Sequence, residues 1–489
     1  MGIVIKQSIK NTIITFLGFG FGAINTLYMY PYFLGDKYFG ITAYVLSGAN
    51  ILYPIMSFGI QNTLIKFFNE NNKSEQELNS YITYMMLIPL FFIVPILGFF
   101  YLLYDEIATY ESQKNPIIYA FVWVIPIVAL FMGYFEIFYA WLRAHMKSVF
   151  GSFVKEVFVR ILITILLFAV YFNLISPSDF IYSLILVYGI SLLLIVYYAN
   201  KVKKIVIYFK IPKESKAILT FTFFIILSAS IANMLLDIDK YMIKHFMKVD
   251  NIAFYSVAIF IAMVISVPSR AMHQITYPIT AKFMSENKWG ELNELYKKSS
   301  ITLQVIGGLI FLGILVNINQ LYLMLPIEYS QGLFVVFTIG LSKYFDLILG
   351  NNNAIIFNSK YYKTVLFLGV MLVVLVVLLN MYFIPNYGIN GAAFATLIAI
   401  TLYSLAKLFF VVIKMKLFPF TLKTLISFGI ISVGFLLFYF WDFPFHPIVN
   451  IAIKSILVSV FYLGISYYLK LSSDINFVMN LVFNKIFKK

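Results

Sequence analysis

The sequence predicts an all-α polytopic membrane protein of about fourteen transmembrane helices, arranged as two pseudo-symmetric six-helix lobes followed by two C-terminal helices. Of the 489 residues, 62% are hydrophobic and only 12% are charged, against about 25% charged in a soluble domain. The mean hydropathy is +0.90. Apolar runs long enough to cross about 30 Å of hydrocarbon recur along the whole chain, which excludes a water-soluble fold.

Apolar runs bounded by polar clusters place spans, to within about 3 residues, near 11–34, 39–66, 80–104, 116–142, 150–173, 180–200 and 217–247. Seven more are expected near 252–281, 299–318, 330–356, 362–383, 390–413, 421–440 and 449–469. The N-terminus carries Lys6 and Lys10 before its apolar run and has no small-residue cleavage site, so it reads as an uncleaved first span. Residues 471–489 read as an amphipathic basic tail.

Orientation follows from the lysines and arginines, because positive loops stay cytoplasmic. With the N-terminus inside, the inside loops and both termini hold 24 basic residues, and the outside loops hold only Lys37, Lys114 and Lys248. That asymmetry predicts an even number of spans with both ends in the cytoplasm. It also explains the formal charge of +15 without nucleic acid, since the basic residues lie in short loops and form no contiguous basic domain.

The longest inside connection, 201–216, contains Pro212 and marks the seam between halves. The expected organisation is an N-lobe at 1–200, a cytoplasmic linker at 201–216, a C-lobe at 217–414, two further spans in 415–470 and the tail at 471–489. A weak internal repeat agrees: GDKYFGITAYVLS (Gly35 to Ser47) follows the first span and KVDNIAFYSVAIF (Lys248 to Phe260) follows the seventh. Each passes from a short polar turn into an aromatic and small-residue helix start.

Metal and thiol chemistry are not expected. There is no cysteine, and His145, His245, His273 and His446 are scattered without ligand spacing. No cofactor motif stands out.

Ionised groups inside spans are costly, about 2.5–3.5 kcal/mol each at mid-bilayer. Nine basic residues fall within or near spans, and the embedded acids are Glu136, Glu156, Asp237, Asp239 and Asp346. Helical spacing pairs Glu156 with Arg160 and Lys343 with Asp346, and puts Asp237, Lys240 and Lys244 on one face. Lys66, Lys407 and Lys454 lie nearer span ends, where snorkelling is expected. Arg270 stands apart, well inside the eighth span with no acid three or four residues away and with Pro268 and Pro278 nearby. It is the strongest candidate for a cavity-lining ligand group, because a guanidinium donates two bonds at once to a phosphate.

The embedded surplus is positive, which favours an anionic ligand over an organic cation. Asn25, Gln61, Asn62 and Asn233 add amides that could bond sugar hydroxyls, although such groups also join helices to one another. Asp237, Asp239, Glu136 and Asp346 are candidates for a coupling ion.

Several segments carry a family resemblance. YPYFLGDKYFGITAY (Tyr30 to Tyr44), SFGIQNTLIKFF (Ser57 to Phe68), LLDIDKYMI through FYSVA (Leu235 to Ala258), VPSRAMHQITYP (Val267 to Pro278) and IPNYGINGAAFAT (Ile384 to Thr396) resemble the Wzx-type polysaccharide (O-antigen or capsule) repeat-unit flippases. These belong to the multidrug/oligosaccharidyl-lipid/polysaccharide (MOP) exporter superfamily. The resemblance implies a bacterial inner-membrane flippase that moves an undecaprenyl-diphosphate-linked oligosaccharide between leaflets by alternating access. It implies a polysaccharide polymerase and chain-length proteins as partners beside the bilayer and the lipid-linked substrate. A cationic cavity holding the diphosphate would use Arg270, with Lys240 and Lys244 as further candidates. The first two spans contain no Arg, unlike the lipid II flippases of the same superfamily, which argues against a peptidoglycan precursor.

Two alternatives come from the same residues. A MATE-like drug or cation antiporter would use the embedded acids. A membrane glycan polymerase or acyltransferase would need positioned acids, bases or nucleophiles, often on a sizeable loop. The outside loops here are short, the longest being roughly a dozen residues at 105–115, so a transporter without covalent chemistry is the expectation.

Overall fold

The computed structural model describes residues 2–487, with the side chains of 227–236 and a few other residues not among those described. The described chain is helical, and none of its elements is a strand. It divides into two compact units, Met1–Ser256 and Val257–Lys489.

The first unit holds α1 (Gly2–Ile24), α2 (Gly35–Met56), α3 (Ile60–Asn71), α4 (Glu75–Leu102), α5 (Tyr104–Ser112), α6 (Val124–Ala144) and α7 (Ser148–Phe153). It continues with α8 (Val159–Tyr171), α9 (Pro177–Val202) and α10 (Ser215–Phe246), and α11 (Asp250–Met263) carries the chain out of it. The second unit contains α12 (Val267–Ser285), α13 (Trp289–Tyr322), α14 (Leu333–Leu347), α15 (Asn352–Phe357) and α16 (Tyr362–Met415). It ends with α17 (Leu422–Phe438), α18 (Pro447–Tyr468) and α19 (Ser473–Phe487).

Local sequence sets many of the boundaries. Ser74 caps α4 by accepting from the Glu77 amide, and Glu75 and Glu77 place negative charge at the positive end of the helix. Ser176 and Asp179 close a capping box at α9, with Pro177 in the first turn. Pro31 sits within a π-helical stretch, Asn25–Leu34, between α1 and α2, where the wider turn accommodates a residue that has no amide hydrogen.

Among the described residues, eight helical stretches are long and apolar enough to cross a membrane. Two of them are far too long to be single spans. Lys10–Asn71 has 62 residues and Lys363–Met415 has 53, about 90 and 80 Å at the helical rise. Each contains two of the expected spans, and each turns at a glycine with positive φ: Gly35 at 75° and Gly388 at 60°. The expected spans at 150–173, 217–247, 330–356 and 421–440 are helical too, but they carry charges, are broken, or are shorter. The expected tail is α19, whose Phe477, Val478 and Leu481 are exposed.

The two segments of the internal repeat each open a helix, α2 and α11, and they touch. A Cβ on Gly40 would collide with the Val249 carbonyl, so only glycine allows this approach of the two backbones. The core of the first unit packs Trp141, Tyr81, Ile60, Leu64 and Ile137 between α3, α4 and α6. In the second unit α13 is central, with Leu312, Val316 and Tyr344 packed against Ile431 and Tyr462.

Gly388 combines φ 60° with ψ −139°, a region essentially closed to residues with a Cβ. A Cβ on Gly391 would also strike the Phe383 carbonyl. Gly388→Ala is therefore expected to cost about 1–3 kcal/mol, seen as a lower melting temperature of the purified chain in detergent. An unchanged melting curve would mean that the fold-back does not depend on this conformation.

Candidate functional site

Most embedded charges among the described residues form ion pairs, and most of these pairs join separate elements. In the first unit, Lys155 in the π-turn between α7 and α8 donates to Glu136 of α6 at 2.6 Å. Glu136 is buried, whereas the Lys155 side chain is 45% exposed. One turn along, Arg160 meets Glu156 at 3.4 Å as the i,i+4 spacing predicts. Gly18 of α1 makes room for this arginine, because a Cβ there would collide with its guanidinium. Asn25 donates to the Arg160 carbonyl at 3.1 Å and accepts from Thr164 at 2.8 Å.

A second group joins α2 to α10. Asp237 accepts from Lys240 at 3.0 Å and from Ser47 at 3.0 Å, while Asp239 accepts from Tyr255 at 2.7 Å. Lys244 does not share the Asp237 group as its helical face suggested. It is fully buried and pairs with Glu111 of α5, which also accepts from Tyr44 at 2.6 Å. The Lys244 ammonium lies 5.0 Å and 5.3 Å from the Tyr44 and Tyr241 ring centres, within cation–π range. The reason for the different partner is topological: α5 lies in the short loop after α4, and no spacing within α10 could indicate that it reaches Lys244.

In the second unit the helix expected at 330–356 is broken between α14 and α15, with Gly350 at φ 56°. The freed backbone groups are taken up by side chains: Ser299 accepts from the Asn351 amide at 3.2 Å and Ser300 donates to the Ile348 carbonyl at 2.5 Å. Broken helices at membrane depth require this kind of compensation or a cavity. Here both are present. Lys407 of α16 donates to Asp346 at 3.0 Å and to Asn353 at 3.2 Å, beside an enclosed cavity of about 20 Å³ lined in part by Ser269, His273 and Asn352. That volume suits about one water molecule.

This corrects the expectation for Lys407 and Lys454. Neither snorkels: each side chain is 2% exposed, and Lys454 is held by Asp442 at 2.9 Å. Asp346, by contrast, is 46% exposed, so its carboxylate faces the accessible side and the lysine stands behind it. Asp346 also takes hydrogen bonds from Ser404 and Lys407 of α16.

The remaining sequence candidates are dispersed. Arg270 is exposed on α12. Gln61 is buried and accepts from Ser57 at 3.0 Å within its own turn, and Asn62 is half-buried on α3. Asn233 lies outside the residues whose side chains are described. Among the described residues no group of three or more His, Asp or Glu could hold a metal ion. Glu111 and Asp442 were missed because both lie in sequence regions that read as loops.

A sequence profile for a family described as polysaccharide biosynthesis protein matches residues 4–284. The chain belongs to the polysaccharide biosynthesis protein family. Its fold is that of MOP superfamily transporters. It is similar to the lipid II flippase MurJ in an inward closed conformation, with a TM-score of 0.72 at 18% identity over 95% of this chain and 99% of that one. It is also similar to an inward-facing multidrug resistance MATE family transporter, with a TM-score of 0.60 at 14% identity over 86% of this chain and 95% of that one. No curated protein sequence matches it.

For a polysaccharide biosynthesis protein built in this way, the buried Lys244–Glu111 pair is a structural risk, because removing one partner strands the other charge. Lys244→Met is expected to destabilise the fold by about 3–5 kcal/mol. Glu111→Gln placed on that background is expected to recover part of the loss. Thermal unfolding of both single variants and the double variant in detergent measures the coupling, and strictly additive effects would show that the pair is not an energetic unit.

Proposed function

We propose that the protein is a flippase that moves an undecaprenyl-diphosphate-linked oligosaccharide repeat unit across the bacterial inner membrane by alternating access of two helical lobes. The observation that carries this reading is the accessibility of charges that lie within apolar, membrane-spanning segments of the sequence. Lys155 in the first unit and Asp346 in the second are each close to half exposed, although each belongs to a charge pair set within apolar helices. Hydrocarbon would penalise such groups by several kcal/mol, so they are expected to face water or a polar ligand. Membership of a family concerned with polysaccharide biosynthesis supports a glycan as that ligand, and the surplus of embedded lysine and arginine favours an anionic carrier lipid.

The physical task fits the architecture. A diphosphate bearing a hydrophilic glycan cannot cross about 30 Å of hydrocarbon unaided, and a rocking pair of lobes shields it without an open pore. Binding, desolvation and release suffice, so no covalent step is needed. Arg270 would receive the diphosphate, with its planar fork matched to two phosphate oxygens. Lys240 would contribute to the cationic field, whereas Lys244, sealed against Glu111, would brace the lobe, and Asp346, Glu136, Asp237 and Asp239 are the groups able to sense a coupling proton or sodium ion.

Arg270→Ala is expected to lower flipping of a fluorescent undecaprenyl-diphosphate glycan in proteoliposomes by roughly ten- to a hundredfold, the equivalent of one charge-assisted bidentate contact. Arg270→Lys should retain part of the rate. Dye efflux from the same vesicles separates the alternative: efflux that depends on Asp346 with no glycan flipping would favour an antiporter. Undiminished flipping by the Ala variant would remove Arg270 from the binding site.

A further inference from the structure

A cationic cavity and an apolar groove lie side by side on the first unit, outside every charge pair described above. The cavity, about 670 Å³ and open on one side, is lined by Lys66 and Phe67 of α3, by Lys213 and Glu214, and by Lys216, Ala217, Thr220 and Phe221 at the start of α10. The groove, about 380 Å³, is lined by Phe58, Phe92, Leu219, Thr220 and Phe223. Thr220 borders both, so the two form one amphipathic trough. Phe58 lies just before the start of α3 and Lys66 is nearly two turns into it, which separates the apolar and charged ends by roughly 10 Å.

We infer that this trough is a docking site for the diphosphate headgroup and first isoprene units of a polyprenyl-diphosphate lipid, which it holds at the lysine-rich face of the membrane. The inference rests on the flippase reading above and adds a place where substrate is captured before translocation.

Three features support it. The charge is complementary: Lys66 and Lys216 line the cavity with Lys213, which also reaches Glu77 at 3.8 Å, so two of the three lysines are available to an anion. Glu70 adds a second acid beside Glu214, and the hydrogen bond between them raises the Glu214 carboxyl, which limits the charge the two present together. The cavity receives the N-terminal turn of a 32-residue helix that has no side-chain cap, and such a terminus favours anions through its free amides and its dipole. Finally, the site adjoins an exposed apolar segment. The neighbouring extended segment 204–212 exposes Phe209 at 82% and Ile211 at 70% between lysines, and is pinned to α4 by the Tyr208 amide donating to Thr83 at 3.0 Å. An apolar strap flanked by lysines matches the boundary between acyl chains and anionic headgroups.

The geometry also explains why Lys66 needs no acid. Its ammonium sits 3.6 Å from the Phe221 ring centre, a contact that holds the cation in place while leaving its hydrogens for a phosphate. α3 and α10 are held together just above by the Thr63–Thr222 hydroxyl contact at 2.9 Å, so the floor of the trough is fixed.

The test is equilibrium binding of radiolabelled undecaprenyl diphosphate to the full chain in neutral-lipid nanodiscs, with phosphatidylglycerol as competitor. Wild type should bind, and excess phosphatidylglycerol should compete weakly. Lys66→Gln combined with Lys216→Gln should weaken binding by roughly ten- to a hundredfold, while Lys66→Arg with Lys216→Arg should keep it, which separates lost charge from lost fold. Leu219→Gln should weaken binding of the lipid but leave inorganic diphosphate competition unchanged. Equal affinity in the Gln variant, or phosphatidylglycerol competing as well as the diphosphate lipid, would overturn the site while leaving the flippase reading intact. Failure of wild type both to bind and to flip the lipid would overturn both.

Discussion

Each ionised side chain held inside an apolar helical protein must meet an opposite charge, water or a ligand, and most of this structure can be read as the consequence of that requirement. Lys155 with Glu136, Lys240 with Asp237, Lys244 with Glu111, Lys407 with Asp346 and Lys454 with Asp442 are the answers the fold provides. Four of these five pairs join separate elements. They therefore act as cross-braces as well as neutralising charge, and they fix which helices can be neighbours within each unit. Where a helix had to break, as between α14 and α15, serines on α13 meet the freed backbone groups.

The pairs are unequal in their access to the outside. The Lys244–Glu111 pair is sealed on both sides, and an ion pair of that kind contributes more to specifying an arrangement than to net stability, since desolvation offsets much of the attraction. In three other pairs one partner is accessible and the other more buried: Lys155 with Glu136, Asp346 with Lys407 and Asp442 with Lys454. Such half-open pairs can exchange their partner for an incoming ion or phosphate, and the sealed pair cannot. This asymmetry is a physical basis for dividing scaffold from working surface among groups that look alike in composition.

Glycine has the complementary role. Gly35 and Gly388 reverse two long hydrogen-bonded runs, Gly40 brings α2 against the Val249 backbone, and Gly18 leaves space for Arg160. Each position combines a backbone or close-contact demand with the absence of a Cβ, and together they allow many long helices to be packed with short connections.

Fold class and membrane residence follow from the sequence alone, because burial in hydrocarbon demands long apolar runs and leaves a local trace. The spacing of Glu156 and Arg160, and of Asp237 and Lys240, was legible for the same reason: partners one turn apart on one helix are fixed by helical geometry. Only the tertiary structure decided that Lys244 belongs with Glu111, that Lys407 and Lys454 are sealed and not snorkelling, and that Lys66, Lys213 and Lys216 converge on one cavity. Those relations join residues up to about 150 positions apart in the chain, and no periodicity along the sequence encodes which distant helix a side chain will face.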